Sequence, residues 1–409
     1  MKTLLDMGKS NYSRDHASFH VSDAGGNQMF LVACPPRDET VQRASLSVYR
    51  QIAEILIDRE MEIVHERIFG TLSAESMVME ARNESLHGCL YPGDSPVTYV
   101  EGNPPWGDGL AGVIIRAVPA EDVWTIRDSR MPYGRGWRLD GVTYLALQNI
   151  QGMYAGGEGA VKSSLSGVAR PLQTRLMLER AERILRENGA SYKDVVRTWF
   201  YVSDILGWYA AFNKARNEKY GEFGIMPGPG DRELLLPAST GIQGVTQSGA
   251  ACAMDLIAVL NSENCTRKLS NPSQLDAFRY GSAFSRASVV RNGSADFIEV
   301  SGTAAIDEHG VSLYPGNIRA QIDCTFDKVQ TLLAQEGAEL KDICSATVFV
   351  KQSGFAEIFY EMAAARGLED LPCVCVVADV CREELLFEMD AEAVVKPGTK
   401  VQGAGNSSE

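Results

Sequence analysis

Near the end of the chain, the run Leu386-Phe387-Glu388-Met389-Asp390-Ala391-Glu392 alternates apolar and acidic residues. As a strand, this period of two sends Leu385, Phe387, Met389, Ala391 and Ala393 to one face and Leu386, Glu388, Asp390 and Glu392 to the other. Three carboxylates on one half-buried face repel unless protons, cations or hydrogen bonds intervene. A glutamate held there, short of water and beside other acids, has its pKa raised, which suits a general acid. Glu388 is the candidate for that role; the alternative is an ion pair between neighbouring parts of the fold.

Binding groups stand in two other stretches. Arg279 and Arg286, with Arg382 further on, carry planar forks suited to bidentate contact with carboxylates, or to surface salt bridges. Tyr280 offers a hydroxyl to a substrate oxygen or a ring to the core. Gly302 and Thr303, in the run SGTAA, follow a strand where small residues let backbone amides approach a ligand, or simply make a tight turn. Cys381 lies close to Glu388 in sequence and is placed in the same cleft, with no histidine nearby to make it a nucleophile. Arg197, Trp199, Tyr201 and Arg216 are read as packing and interface residues, and Ser239 and Thr240 as part of a turn.

The elements that must position these groups recur along the chain. LMLERAERILRENGASYKDVVRTWFYV (176–202) and CTFDKVQTLLAQEGAELKDICSATVFV (324–350) share an amphipathic helix, a glycine stop at Gly189 or Gly337, and a β-rich run. ASLSVYRQIAEILIDREMEIVHERIFG (44–70) keeps the same periods without the glycine stop. The closing strands align as LAGVIIRAV (110–118), ACAMDLIAV (251–259) and LFEMDAEAV (386–394). At the level of Glu388, Asp390 and Glu392 the second copy has Ala253, Asp255 and Ile257, and the first Gly112, Ile114 and Arg116. Glu388 is therefore not required by the scaffold.

Each copy reads β-β-α-β-α-β-β, with both helices on one face of the sheet. The units are expected at 15–122, 136–260 and 276–396, with linkers near 120–135 and 260–275, a Gly/Ser-rich loop at 155–167, and a disordered tail at 397–409. A sheet covered on one face must bury the other, and three such sheets close around a common axis. The expected class is α+β: three tandem units forming an intramolecular pseudo-trimer, sheets inside and helices outside, with ligand clefts between units. One functional cleft, where the third unit meets a neighbour, is expected. The assembly is either this monomer or a low-order homo-oligomer of it.

The chain has 409 residues, more than one core needs, and its net charge of −14 argues against nucleic-acid binding. Nine scattered cysteines and five unclustered histidines suggest reduced thiols and no zinc site. No apolar run is long enough to cross a bilayer, and Met1–Asp6 lacks the apolar core of a secretion signal, so a cytoplasmic location is expected.

The third copy resembles the RidA/YjgF family, through EVSGTAAID, GNIRAQIDCTFDKVQTLL, GAELKDICSATVFV and LFEMDAEAVV. That resemblance implies units of the chorismate-mutase-like β-α-β-α-β type and clefts at their interfaces, where many relatives deaminate imines or enamines. At the arginine with which those deaminases grip a carboxylate, this chain has Asp379, which would repel that group.

A closer resemblance is to the chorismatases. NPSQLDAFRYGSAFSRAS (271–288), VSGTAAI (300–306) and ADVCREELLFEMD (378–390) match their blocks in order, and TWFYV (198–202) and FNKAR (212–216) add to them. Phe200 replaces that family's asparagine, and EHGVSLYPGN replaces its histidine-containing loop. The resemblance implies cofactor-free hydrolysis of an enol ether of chorismate type in secondary metabolism, with Glu388 as catalytic acid. Arg279, Tyr280, Arg286, Gly302, Thr303, Cys381 and Arg382 would bind the substrate. The implied partner is a small carboxylate-bearing metabolite. A RidA-type deaminase and a non-catalytic small-molecule-binding pseudo-trimer are the competing readings.

Overall fold

The computed structural model describes residues 17–24, 27–87, 95–152, 167–228, 234–260 and 265–396. The Gly/Ser-rich stretch up to residue 166 and the tail from 397 lie outside the described residues.

The first unit runs β1 (Ser18–Asp23), β2 (Met29–Cys34), α1 (Val41–Asp58), β3 (Met61–Gly70), α2 (Glu75–Leu86), β4 (Thr98–Glu101) and β5 (Leu110–Pro119). The second runs β6 (Val123–Asp128), β7 (Met131–Leu139), β8 (Val142–Gln151), α3 (Arg170–Glu187), β9 (Val195–Val202), α4 (Ile205–Glu222), β10 (Ala238–Gln243) and β11 (Cys252–Leu260). The third runs β12 (Thr266–Leu269), β13 (Ala287–Arg291), β14 (Asp296–Ala304), α5 (Ile318–Ala334), β15 (Ile343–Val350), α6 (Phe355–Ala365), β16 (Cys373–Val377) and β17 (Phe387–Val395).

All three sheets have one topology. The orders are β1-β2-β5-β3-β4, β6-β7-β8-β11-β9-β10 and β12-β13-β14-β17-β15-β16, so the later units each add an edge strand. These extra strands occupy the segments read as linkers. With no counterpart in the first copy, β6 and β12 could not be found by comparing repeats. Ser239 and Thr240 lie on β10, not in a turn, paired in parallel with Thr198 and Trp199 of β9.

Local chemistry explains the helices. In α1, Val48, Tyr49, Ile52, Ala53 and Leu56 form one buried stripe. Gly189 and Gly337 follow α3 and α5 at φ +77° and +75°, where a side chain is disfavoured. The first unit puts Glu60 at φ +53° in the corresponding turn, a cost of about 1 kcal/mol that packing must offset.

Each helix pair covers its own sheet with a separate apolar core. A fourth core joins the inner faces of all three sheets, including Val32, Ile114, Trp199, Ile257, Phe297 and Phe349. The register identifies Arg67, Trp199 and Thr347 as the same position of β3, β9 and β15, each two residues before the partner of Gly112, Ala253 or Glu388. The three converge: the Arg67 guanidinium stands 4.4 Å from the Trp199 ring and donates to Thr347 Oγ1 at 3.3 Å. They mark the pseudo-threefold axis.

Candidate active site

A cavity of about 680 Å³ opens between the second and third units. One wall is α4 and β10, supplying Tyr209, Asn213, Arg216 and Gly241. The other wall is β14, β17 and the segment preceding β13, supplying Gly302, Glu388, Tyr280 and Arg286.

The carboxylates of β17 avoid mutual repulsion in three different ways. Glu392 is buried, yet Arg116 and Arg67 hold its carboxyl down at about 2, and Ser345 Oγ donates to it. Asp390 accepts from Thr240 Oγ1 at 2.8 Å and pairs with Arg197 Nη2 at 3.2 Å. Glu388 has neither kind of partner among the described residues. Its side chain is in the cavity wall and only 5% of the residue is exposed. Burial, with the like charge of Asp390, pushes its pKa up to about 8 despite Arg197 and Arg286. That shift favours the protonated carboxyl at neutral pH, which suits a proton donor in a cavity wall. On β17, the ion pairs to other units go to Asp390 and Glu392.

The same cavity holds two buried arginines without acids. Arg286, 1% exposed, donates to the Leu275 carbonyl and to Tyr280 Oη at 3.0 Å. Arg216, also 1% exposed, donates to Asn213 Oδ1 at 2.7 Å. In each, Nε has no hydrogen-bond partner, and neither guanidinium pairs with a carboxylate among the described residues. A buried charge without a counterion is costly, so this arrangement favours an anionic ligand. The two guanidinium groups flank the Phe284 ring at 5.9 and 5.3 Å, while Tyr280 lies 5.6 Å from Arg286 and 5.2 Å from Arg382.

Of the sequence-derived candidates, Glu388, Tyr280, Arg286, Gly302, Cys381 and Arg382 line the cavity. Arg382 spends Nη1 on the Gly310 carbonyl at 2.8 Å and Ser312 Oγ at 3.2 Å, holding the loop that departs from the chorismatase pattern. Burial, reinforced by Glu388, pushes the Cys381 thiol up to about 12, so it is no nucleophile at neutral pH.

Two candidates fall elsewhere. Arg279 is exposed and outside the cavity lining: on the helical turn Ala277–Tyr280, neighbours point about 120° apart, so Tyr280 facing inward turns Arg279 away. Thr303 is buried but does not line the cavity. It follows a bulge in the β14–β17 register, and its hydroxyl donates to the Ser301 carbonyl at 2.8 Å. The strand-face expectation also fails at its start. Leu385 enters the central core and Leu386 packs on the helix side, because β17 begins only at Phe387.

The residue missed was Arg216, assigned to packing. Glu388 and Arg286, with which it shares the cavity, come from another unit, so period and local spacing gave no sign of them; the FNKAR match to the chorismatases was the available signal.

The comparisons agree with this architecture. The family model described as Endoribonuclease L-PSP matches residues 276–395. A crystallised chorismatase superposes with a TM-score of 0.58 over 81% of this chain and 92% of that one, at 19% identity. The chain has the chorismatase fold, and its third unit is the part that the family model matches. A 3-hydroxybenzoate synthase of Streptomyces hygroscopicus is 23% identical over 301 residues, 67% of this chain and 81% of its own length. A YjgF-family protein of Mycobacterium tuberculosis is 24% identical over 32% of this chain and 99% of that one, with a TM-score of 0.26. Among the described residues, no helix is long and apolar enough to cross a membrane.

Proposed function

We propose that the cleft between the second and third units hydrolyses the enol ether of chorismate or a closely related dicarboxylate, releasing pyruvate. The observation that carries this is the combination in one cavity of a buried Glu388 with two buried arginines, none of the three ion-paired among the described residues. Arg216 and Arg286 each take a carboxylate, which supplies the missing negative charge. Glu388 gives its proton to the methylene carbon, the π electrons form the new C–H bond, and the adjacent carbon becomes an oxocarbenium ion. Water adds to that carbon and returns a proton to Glu388. The resulting hemiketal breaks its bond to the ring oxygen, giving pyruvate and a ring alcohol.

The chorismatase superposition and the 3-hydroxybenzoate synthase likeness support a substrate of the chorismate class. RidA-type deamination has less support, because Asp379 stands outside the cavity lining with Lys351 Nζ 3.5 Å away. The test is pyruvate release from chorismate by the purified protein and its Glu388→Gln variant. Release by the wild type alone supports the reading; no release by folded wild type removes chorismate as substrate.

A further inference from the structure

Helix α4 places Tyr209 in the cavity wall opposite Glu388. Its ring lies flat beside Phe212, with centroids 6.0 Å apart and planes 10° from parallel, which fixes where its hydroxyl points. That hydroxyl sits over Gly241 of β10: a Cβ at Gly241 would come within 3.3 Å of Tyr209 Oη. Across the cavity, a Cβ at Gly302 of β14 would stand 3.3 Å from Thr240 Cγ2 and collide with Glu388 Oε1. Two glycines on facing strands therefore form a floor of bare backbone, with a phenol at one end and a carboxyl at the other. Tyr209 is half-buried, and its Oη has no hydrogen-bond partner among the described residues, which leaves it free to donate to a ligand in the cavity. Burial pushes its pKa up, so it stays a phenol over the working range of pH.

We propose that Tyr209 is a second proton-transfer residue of this cleft, hydrogen-bonded to the oxygen that leaves when the substrate's ether bond breaks. The proposal rests on the hydrolase reading and adds a step that Glu388 does not cover. When the hemiketal collapses, the carbon–oxygen bond breaks with its electron pair going to the ring oxygen. Tyr209 gives that oxygen its proton. The hemiketal hydroxyl loses its proton as its oxygen forms the pyruvate carbonyl, and that proton restores the phenol. Tyr209 ends as it began, and no other reactant is consumed.

The test is the Tyr209→Phe variant, which keeps the ring and removes only the hydroxyl. Its kcat on chorismate should fall on the order of 10²-fold with KM changed less than threefold. Binding is measured in parallel with two inert dicarboxylates, 3-(carboxymethoxy)benzoate and 3-(2-carboxyethyl)benzoate, which differ only by an ether oxygen replaced by methylene. Wild type should prefer the ether ligand by about tenfold, and the variant should lose that preference. Unchanged kcat with the preference intact would overturn the proposal, as would an equal loss of affinity for both ligands. If wild type binds the pair as expected yet releases no pyruvate, the hydrolase reading fails while the hydroxyl's contact with a ligand oxygen stands.

Discussion

The seam between the third and first units is built from the strands equivalent to those of the open cleft between the second and third, and it is packed shut. In the open cleft, β10 presents Thr240 and Gly241 toward Asp390 and Glu388 of β17. At the seam, Val374 of β16 holds the register position of Thr240, and Gly112 and Ile114 of β5 hold those of Glu388 and Asp390. Val374 fills the space: a Cβ on Gly112 would meet its Cγ2 at 2.7 Å. The interface between the first and second units is intermediate. Thr98 Oγ1 donates to Asp255 at 2.6 Å and His65 lies 3.1 Å from the same carboxylate, repeating the Thr240–Asp390–Arg197 arrangement, but Ala253 replaces the acid. The backbone builds three equivalent places, and side chains at a few positions decide which of them has room and a proton to give.

The largest effect that sharpens this contrast is expected from Glu388→Gln. It keeps the shape and removes the transferable proton, so kcat should fall about 10³-fold, read as pyruvate release. Next come Arg216→Met and Arg286→Met. Each removes a charge-assisted contact of ~1.5–3 kcal/mol, so KM should rise roughly 10- to 100-fold; equal activity in both variants would break the account of the cleft as an anion site.

Alanine at the two glycines separates the regions directly. Gly302→Ala drives a methyl into Glu388 and should abolish most activity with little change in Tm. Gly112→Ala meets Val374 and the Ala33 carbonyl and should cost about 1–3 kcal/mol of stability, leaving the turnover of folded protein intact. Reversal of that pattern would mean that the working site lies at the other seam.

The smallest expected effect is on pH dependence. Glu388 is raised from 4.5 to about 8, so the folded protein holds a proton that the unfolded chain releases between those values. The stability supported by that proton is full below about 4.5 and lost as pH rises through 8. Glu388→Gln should therefore gain Tm over wild type progressively between pH 5 and 8.5, and wild-type activity should decline above about pH 8. A constant Tm difference across that range would show an ordinary carboxylate.

Much of this was legible in the sequence because repeats carry long-range information. The alignment of 110–118, 251–259 and 386–394 placed three strands in register and singled out Glu388 as a departure from the scaffold. What periodicity cannot carry is which unit faces which. Arg216 and Tyr209 sit on a helix of the second unit and share a cavity with Glu388 only across the interface, so Arg216 read as packing and Tyr209 was not singled out. Arg279 beside Arg286 looked equally useful until the turn at Ala277–Tyr280 set which way each points. The edge strands β6 and β12 were hidden because no counterpart in the first copy announced them.

The measurement that bears most directly on a single working cleft is a calorimetric titration of the Glu388→Gln variant with chorismate, which it should bind without turnover. The account predicts one ligand per chain. Two or three ligands per chain, or none bound by folded protein, would contradict it.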